Sequence, residues 1–328
     1  MQAREGDTVI YSVRHVTNFG YEPPVRESVM EVRMQPRSEG HQRCLSFSLD
    51  VLPNANIMWY RDFSGNAVHH FDIPGRQARV KIIAQALVEV QPPPLPGISE
   101  VGTWQDLDAL IAAGDQWEML LPSRFAQTTP ALRQLASQLE LERRGNPLEL
   151  LLRLNESLYN TFTYVPNSTK VDSPIDDALE TRQGVCQDFA HIMIALVREL
   201  GIPCRYISGY LFHGKADHDR SPEGATHAWT EAFLPGPGWV ALDPTNNLLG
   251  SERHIRVAIG RDYADVPPTR GVYKGEAESE LSVSVTVSPA DAPLPEELPP
   301  LTVVRSRLSH PDNFEASQFE HQQQQQQQ

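Results

Sequence analysis

The run Thr181-Arg182-Gln183-Gly184-Val185-Cys186-Gln187-Asp188-Phe189, followed by AHIMIALVREL (190–200) and Gly201-Ile202-Pro203, decides how the second half of this chain folds. Apolar side chains at Phe189, Ile192, Met193, Leu196, Val197 and Leu200 recur at helical spacing and predict a mostly buried helix. Gly201 and Pro203 end it. Cys186 thus stands at the helix N-terminus, where unsatisfied backbone N–H groups and the positive end of the dipole favour a thiolate. Gly184 lets the backbone turn sharply there and leaves the sulfur open to a substrate. A free cysteine by itself is usually a small buried apolar residue. The nucleophile reading therefore depends on partners elsewhere.

Two downstream segments offer them. Residues 226–233 (THAWTEAF) and 238–244 (GWVALDP) read as strands, and Leu234-Pro235-Gly236-Pro237-Gly238 between them reads as a turn, so the pair predicts an antiparallel hairpin. If Phe233 lies opposite Trp239, Asp243 falls opposite Trp229, on the face of His227 and one diagonal step from it. A slip of one residue would put the two side chains on opposite faces. A cysteine at a helix start, with a histidine and a carboxylate gathered on one hairpin, is what thiol catalysis needs: a base for the proton, an acid to orient the base, and a backbone N–H for an oxyanion.

Outward from these segments, 328 residues are about twice the usual size of one domain, so two folded units are expected. Residues 8–90 contain short apolar runs rich in Val, Ile, Phe and Tyr (TVIYSVRHVTNF, ESVMEVRMQP, CLSFSLDVLP, IMWYRD, AVHHFDIP, ARVKIIAQALVEV), which predict a β-sandwich over 1–91. Pro92-Pro93-Pro94-Leu95-Pro96-Gly97 cannot continue a sheet and reads as a stiff linker, so 92–145 is expected to be a linker carrying a helix opened by Pro130. Asn146-Pro147 opens a further helix and a second unit over 146–289. The tail 290–328, rich in proline and acid and ending in Gln322–Gln328, is expected to be disordered, although LTVV at 301–304 could form one isolated strand.

Bulk properties narrow the function classes. A net charge of -14 and pI ≈ 5.2 argue against nucleic acid or an anionic membrane surface as partner. No apolar run reaches the roughly 18 residues of a membrane span, and no secretory signal opens the chain, so the cytoplasm is the expected compartment. Three cysteines, Cys44, Cys186 and Cys204, do not suggest a disulfide framework, and their spacing matches no common zinc pattern.

The segments GVCQDFAHIMIALVRELGIPCRYISGYL and THAWTEAFLPGPGWVALDPTNN, in that order, closely resemble the transglutaminase-like superfamily in its bacterial branch. YSVRHVTNFGYEPPVRESVMEVRMQP and YRDFSGNAVHHFDIPG resemble the β-rich N-terminal domain that accompanies it, and the likeness runs from about residue 8 to 289. The resemblance implies an α+β chain with a papain-like catalytic domain, a Cys, His, Asp triad on Cys186, His227 and Asp243, and no cofactor or metal. It implies attack on a carboxamide or peptide carbonyl of a peptide or protein substrate, through a thioester resolved by water or by an amine. A catalytically silent module that binds a peptide in the same cleft is the alternative.

Several residues take lesser roles. Asp188 resembles a family position beside the nucleophile and equally suits a first-turn acid at the helix start. Asn246 and Asn247 resemble the family loop beyond the triad acid, where hydrogen bonds shape the site. Trp229 is a candidate for the cleft lining, and Trp239 is expected in the core. Where papain-type enzymes carry a glutamine oxyanion donor six positions ahead of the cysteine, this chain has Glu180, which cannot donate at neutral pH; the second donor is unidentified, with Tyr164 a candidate from elsewhere in the fold. His213, Asp217, His218 and Asp219 lack the oxygen-ligand spacing of a calcium loop and read as a solvated loop, which suggests a wet entrance to the site.

Overall fold

The computed structural model describes residues 8–114, 116–214 and 217–290, and the backbone of 302–306. The chain opens with strands β1 (Val9–Val32), β2 (Gln42–Leu52), β3 (Met58–Arg61) and β4 (Ala67–Val90). Helices α1 (Trp104–Ala113), α2 (Pro130–Gln138) and α3 (Pro147–Thr161) follow, then β5 (Thr163–Tyr164), α4 (Ile175–Thr181), β6 (Gln183–Gly184) and α5 (Cys186–Glu199). The remaining strands are β7 (Cys204–Leu211), β8 (His227–Leu234), β9 (Gly238–Asp243), β10 (Leu248–Leu249), β11 (His254–Gly260), β12 (Thr269–Lys274), β13 (Glu278–Pro289) and β14 (Thr302–Ser306). None of the described helices is long and apolar enough to cross a membrane.

The first sheet has seven strands, in the order β14-β13-β1-β4-β2, with β12 on the second half of β1 and β3 on the first half of β4. The runs expected as separate short strands merge into two of 24 residues each, β1 and β4. The ladder between them is interrupted from Tyr21 to Pro24, where Pro23 and Pro24 have no N–H to donate, and resumes at Val25. β1 changes its other neighbour across the same bend, from β13 to β12, and residues of both halves, such as Val13, Phe19, Met30 and Val32, share one core.

Two domain limits read from the sequence are corrected. The second unit does not run to residue 289, because β12 and β13 return to the first sheet and pair along β1. Nor is 92–145 a linker beyond its prolines: Leu107, Phe125, Leu132 and Leu135 are buried in the same core as α5. The guanidinium of Arg198, near the end of α5, donates to the carbonyls of Met119, Leu121, Cys204 and Arg261 and clamps the segment before α2 in place. Of the tail, Thr302–Ser306 pairs with Ser279–Val283 of β13, so this strand is not isolated, and the expectation of disorder elsewhere concerns residues outside those described.

The second sheet is antiparallel, in the order β10-β9-β8-β7-β11. One face, with Ala228, Ala232, Val240 and Leu242, packs on α5, whose residues are buried from Cys186 to Arg198. Tyr210, Ile255 and Val257 of the same sheet join the core of the first unit. There Tyr210 Oη lies 3.0 Å from Nδ1 of His15, whose imidazole burial pushes down to about 3.

The free edge of β11 is covered by side chains of the first unit. Gln42 accepts from the N–H of Arg256 and donates to its C=O, both at 2.8 Å, and Asn66 does the same for Ile259. Each amide makes the two hydrogen bonds that a neighbouring strand would make, so the edge is closed without a strand.

Candidate active site

α5 begins at Cys186 because Val185 is extended and Asp188, three residues on, caps it. Asp188 Oδ2 accepts from the N–H of Val185 at 2.8 Å and from Thr169 Oγ1 at 2.6 Å. Burial pushes this carboxyl up to about 6 against both hydrogen bonds. Gly184 serves the same contact, since a Cβ there would lie 2.9 Å from the Asp188 side chain. Its expected role in exposing the sulfur is corrected: Cys186 is only 1% exposed.

Tyr164 arrives at the same point through the two-residue parallel ladder of β5 and β6, where it pairs with Gly184. Burial first, and then the negative charges of Cys186 and Asp188, hold its phenol well above the ordinary value, so it stays an O–H donor. Glu180 is exposed on α4 and takes no part.

The β8–β9 hairpin adopts the register that its turn predicts, with Phe233 opposite Trp239 and Thr230 opposite Leu242. His227 opens β8, Asp243 closes β9, and His227 Nε2 lies 2.8 Å from Asp243 Oδ2. Burial by itself would lower the imidazole pKa. The charge and hydrogen bond of Asp243, and then the Cys186 side chain, outweigh burial and raise it to about 10. Burial likewise opposes the carboxylate of Asp243, yet the His227 imidazolium holds that group well below the usual carboxylate range. With Nε2 committed to Asp243, the other ring nitrogen, Nδ1, is buried without a hydrogen-bond partner among the described residues and is the one left for the nearby Cys186 side chain, which helps to raise the imidazole.

Asp243 is fully buried and surrounded by donors. Oδ1 accepts from the N–H groups of Thr245 and Asn246 at 3.0 and 3.3 Å, and Oδ2 accepts from Asn246 Nδ2 at 2.8 Å. Asn246 Oδ1 in turn accepts from the N–H groups of Arg220 and Ser221. Asn247, with φ 54, accepts from Asn155 of α3 and so ties the loop down.

The structure adds a residue that sequence reasoning missed: His254 Nε2 lies 3.4 Å from Asp243 Oδ2. Its only sequence signal is its position at the start of an apolar strand, HIRVAIG, beyond the turn after Asp243. Among the described residues, His227, Asp243 and His254 are the group that could offer three ligand atoms to a metal. His227 Nε2 and His254 Nε2 both face Asp243 Oδ2, at hydrogen-bond distances of 2.8 and 3.4 Å, so the three form a hydrogen-bonded cluster.

Of the two tryptophans, Trp239 departs from expectation. Trp229 is buried against the ring of His227, 5.9 Å away between centroids, and lies edge-on to His254 at 5.1 Å. Trp239 is half-exposed, not core, with Arg205 stacked 4.0 Å over its ring. Both line a cavity of about 480 Å³ on the side of the hairpin away from α5, walled opposite by Pro93, Pro94 and Leu95. The loop read as solvated keeps Asp217 and His218 exposed, but its charges are paired. Arg253 binds Asp217 and Asp219 at 2.7 and 2.8 Å, His213 meets Asp219 at 3.1 Å, and Arg220 stacks on Tyr159 while donating to its carbonyl. The acids of this loop are thus spent on arginine, and no cation site remains among its described residues.

Residues 133–244 match the model of the transglutaminase-like superfamily, and residues 11–89 match that of the bacterial transglutaminase-like N-terminal region. An uncharacterized protein of Mycobacterium leprae is 33% identical over 84% of this chain and 97% of its own length. One of Mycobacterium tuberculosis is 36% identical over 85% of this chain and 92% of its own. A protein-glutamine gamma-glutamyltransferase of Pseudomonas aeruginosa is 29% identical over 49% of this chain and 25% of its own length. Among solved structures, a Cytophaga hutchinsonii protein described provisionally as a cysteine protease superposes with a TM-score of 0.72 at 23% identity, covering 88% of this chain and 93% of that one.

Proposed function

The chain belongs to the transglutaminase-like superfamily, and from that premise we propose that it is a thiol enzyme acting on a carboxamide or peptide carbonyl, with Cys186 as nucleophile, His227 as base and Asp243 orienting the base. The observation that carries this reading is the buried pair of His227 and Asp243, near enough to Cys186, the first residue of α5, for its side chain to raise the imidazole further.

With the proton already held on His227, the sulfur of Cys186 attacks the carbonyl carbon, and the π electrons move onto oxygen. Backbone N–H groups at the start of α5 and the phenol of Tyr164 are the donors offered to that oxyanion. Collapse expels ammonia or an amine, which leaves with the proton held by His227, and a thioester remains on Cys186. Water, deprotonated by His227, then displaces the sulfur, and the proton stays on His227. Neither half-reaction calls for a cofactor. Hydrolysis is preferred to amine transfer because water is present at about 55 M, whereas an amine competes only through a site that orients it.

The burial of Cys186 favours a second reading, a silent module that binds a peptide or protein. One experiment separates the two: incubation with a glutamine-containing peptide and a labelled primary amine, with Cys186→Ala as control. Deamidated or cleaved peptide that depends on Cys186 is the expected product. A predominance of amine adducts would make the protein an acyltransferase. No Cys186-dependent product, together with alkylation of Cys186 as slow as that of an ordinary thiol, would favour the binding module.

A further inference from the structure

The two ring nitrogens of His254 have separate duties. The N–H of Ser251 points at Nδ1 from 3.2 Å, and since a backbone N–H can only donate, Nδ1 must carry the lone pair. The proton of the neutral ring therefore sits on Nε2, which faces Asp243 Oδ2. Burial, ahead of the opposing contribution of Asp243, keeps the imidazole below its ordinary value and hence neutral, with His227 and Arg253 as the nearby cations acting in the same direction. A charged His254 would also have to give up the Ser251 hydrogen bond.

We infer that His254 is a positioning residue of the triad, a fixed neutral donor that holds the carboxylate of Asp243 in the rotation that keeps Oδ2 on His227. The inference rests on the thiol-enzyme reading above. Two contacts carry it. Oδ1 is already anchored by the N–H groups of Thr245 and Asn246, so the angle of the carboxylate is decided at Oδ2, where His254 donates from one side and Asn246 from another. His254 also lies edge-on to Trp229, at an interplanar angle of 70°, and Trp229 stacks on the His227 ring. It thus braces both the acid and the aromatic wall of the base, while its other side borders the 480 Å³ cavity.

The test needs no substrate. Iodoacetamide labelling of Cys186 is followed by mass of the labelled peptide at pH 6 and pH 10 in the wild type, His227→Ala, His254→Phe and His254→Gln, with Cys44 in the same samples as reference thiol. His254→Phe is expected to lower the pH 6 rate about tenfold, the scale of a small misplacement of a reacting pair, while the pH 10 rate, which depends far less on help from His227, stays that of the wild type. His254→Gln, which returns an N–H donor near Nε2, restores the pH 6 rate. A wild-type rate at pH 6 in His254→Phe, or no recovery in His254→Gln, overturns the inference. A failure of the triad reading shows separately, as a wild-type ratio of the two rates in His227→Ala. Should His254→Phe not fold, ¹⁵N-histidine NMR of the wild type decides: a protonated Nε2 on His254 supports the assignment, and a protonated Nδ1 overturns it.

Discussion

The carboxylate of Asp188 fills the place where a side chain on Gly184 would stand, with 2.9 Å between a Cβ built there and Asp188 Oδ2. The neighbour cannot retreat, because Oδ2 also accepts from Val185 and Thr169. Gly184→Ala is therefore expected to break the cap of α5 and to destabilise the protein by about 1–2 kcal/mol. Urea unfolding reads the loss. An unchanged midpoint would mean that the helix start tolerates a displaced Asp188.

Asp188 also makes a prediction in pH. Its carboxyl is raised from 3.8 to about 6, so the folded state binds this proton more tightly than the unfolded chain does. Protonation then favours folding, and the group's contribution falls as pH rises from about 4 to about 6, by about 3 kcal/mol for a shift of this size. Asp188→Asn should remove this dependence, so stability curves of the two proteins measured between pH 4 and 7 should converge toward the acid end if Asn keeps the hydrogen bonds. Parallel curves would contradict the buried acid.

His227 follows the same sense at higher pH, and Asp243 the opposite one. The imidazole, raised to about 10, stabilises the fold fully below its unfolded value of 6.5, and that contribution is lost as pH climbs toward 10. Asp243, held low, loses its contribution only in strong acid. The stability gap between wild type and Asp243→Asn should therefore be wide at pH 6 and narrow at pH 9. The same variant is expected to lower Cys186-dependent turnover by about 10²- to 10⁴-fold, the usual worth of an oriented acid–base group.

Removing one edge-covering amide tests how the two units are joined. Asn66→Ala leaves the N–H and C=O of Ile259 without their partners in a buried position. The expected loss is about 2–3 kcal/mol, with a single cooperative transition preserved. A two-step melt would instead mean that the units unfold separately.

What could be read from the sequence was local, and what could not was long-range. The turn at Pro235–Gly238 pins the register of β8 and β9, so the approach of His227 to Asp243 follows from counting residues. His254 reaches Asp243 only because the chain bends back through β10 and starts a strand on the far edge of the sheet, and no periodicity marks that. Leu107 and Leu132 carry the signal of buried helices, yet the prolines at 92–96 gave the stretch after them the look of a linker. LSVSVTVSP alternates as a strand should. Which sheet it joins depends on a partner at the other end of the chain.

That partner is β1, whose ladder to β13 runs from Tyr11 opposite Pro289 to Glu22 opposite Glu278. A ribosome delivers β1 about 250 residues ahead of β13, and at the usual rate of synthesis the interval is on the order of tens of seconds. Throughout it, β1 has an open edge beside apolar residues such as Val13 and Phe19, and α5 and its sheet are made within it, ahead of β13. The helix that carries Cys186 can thus pack before the β unit, which closes only once β13 has been made. Chains released early by a stalled ribosome would keep that edge exposed, which makes them the ones to be held by chaperones or removed by proteases.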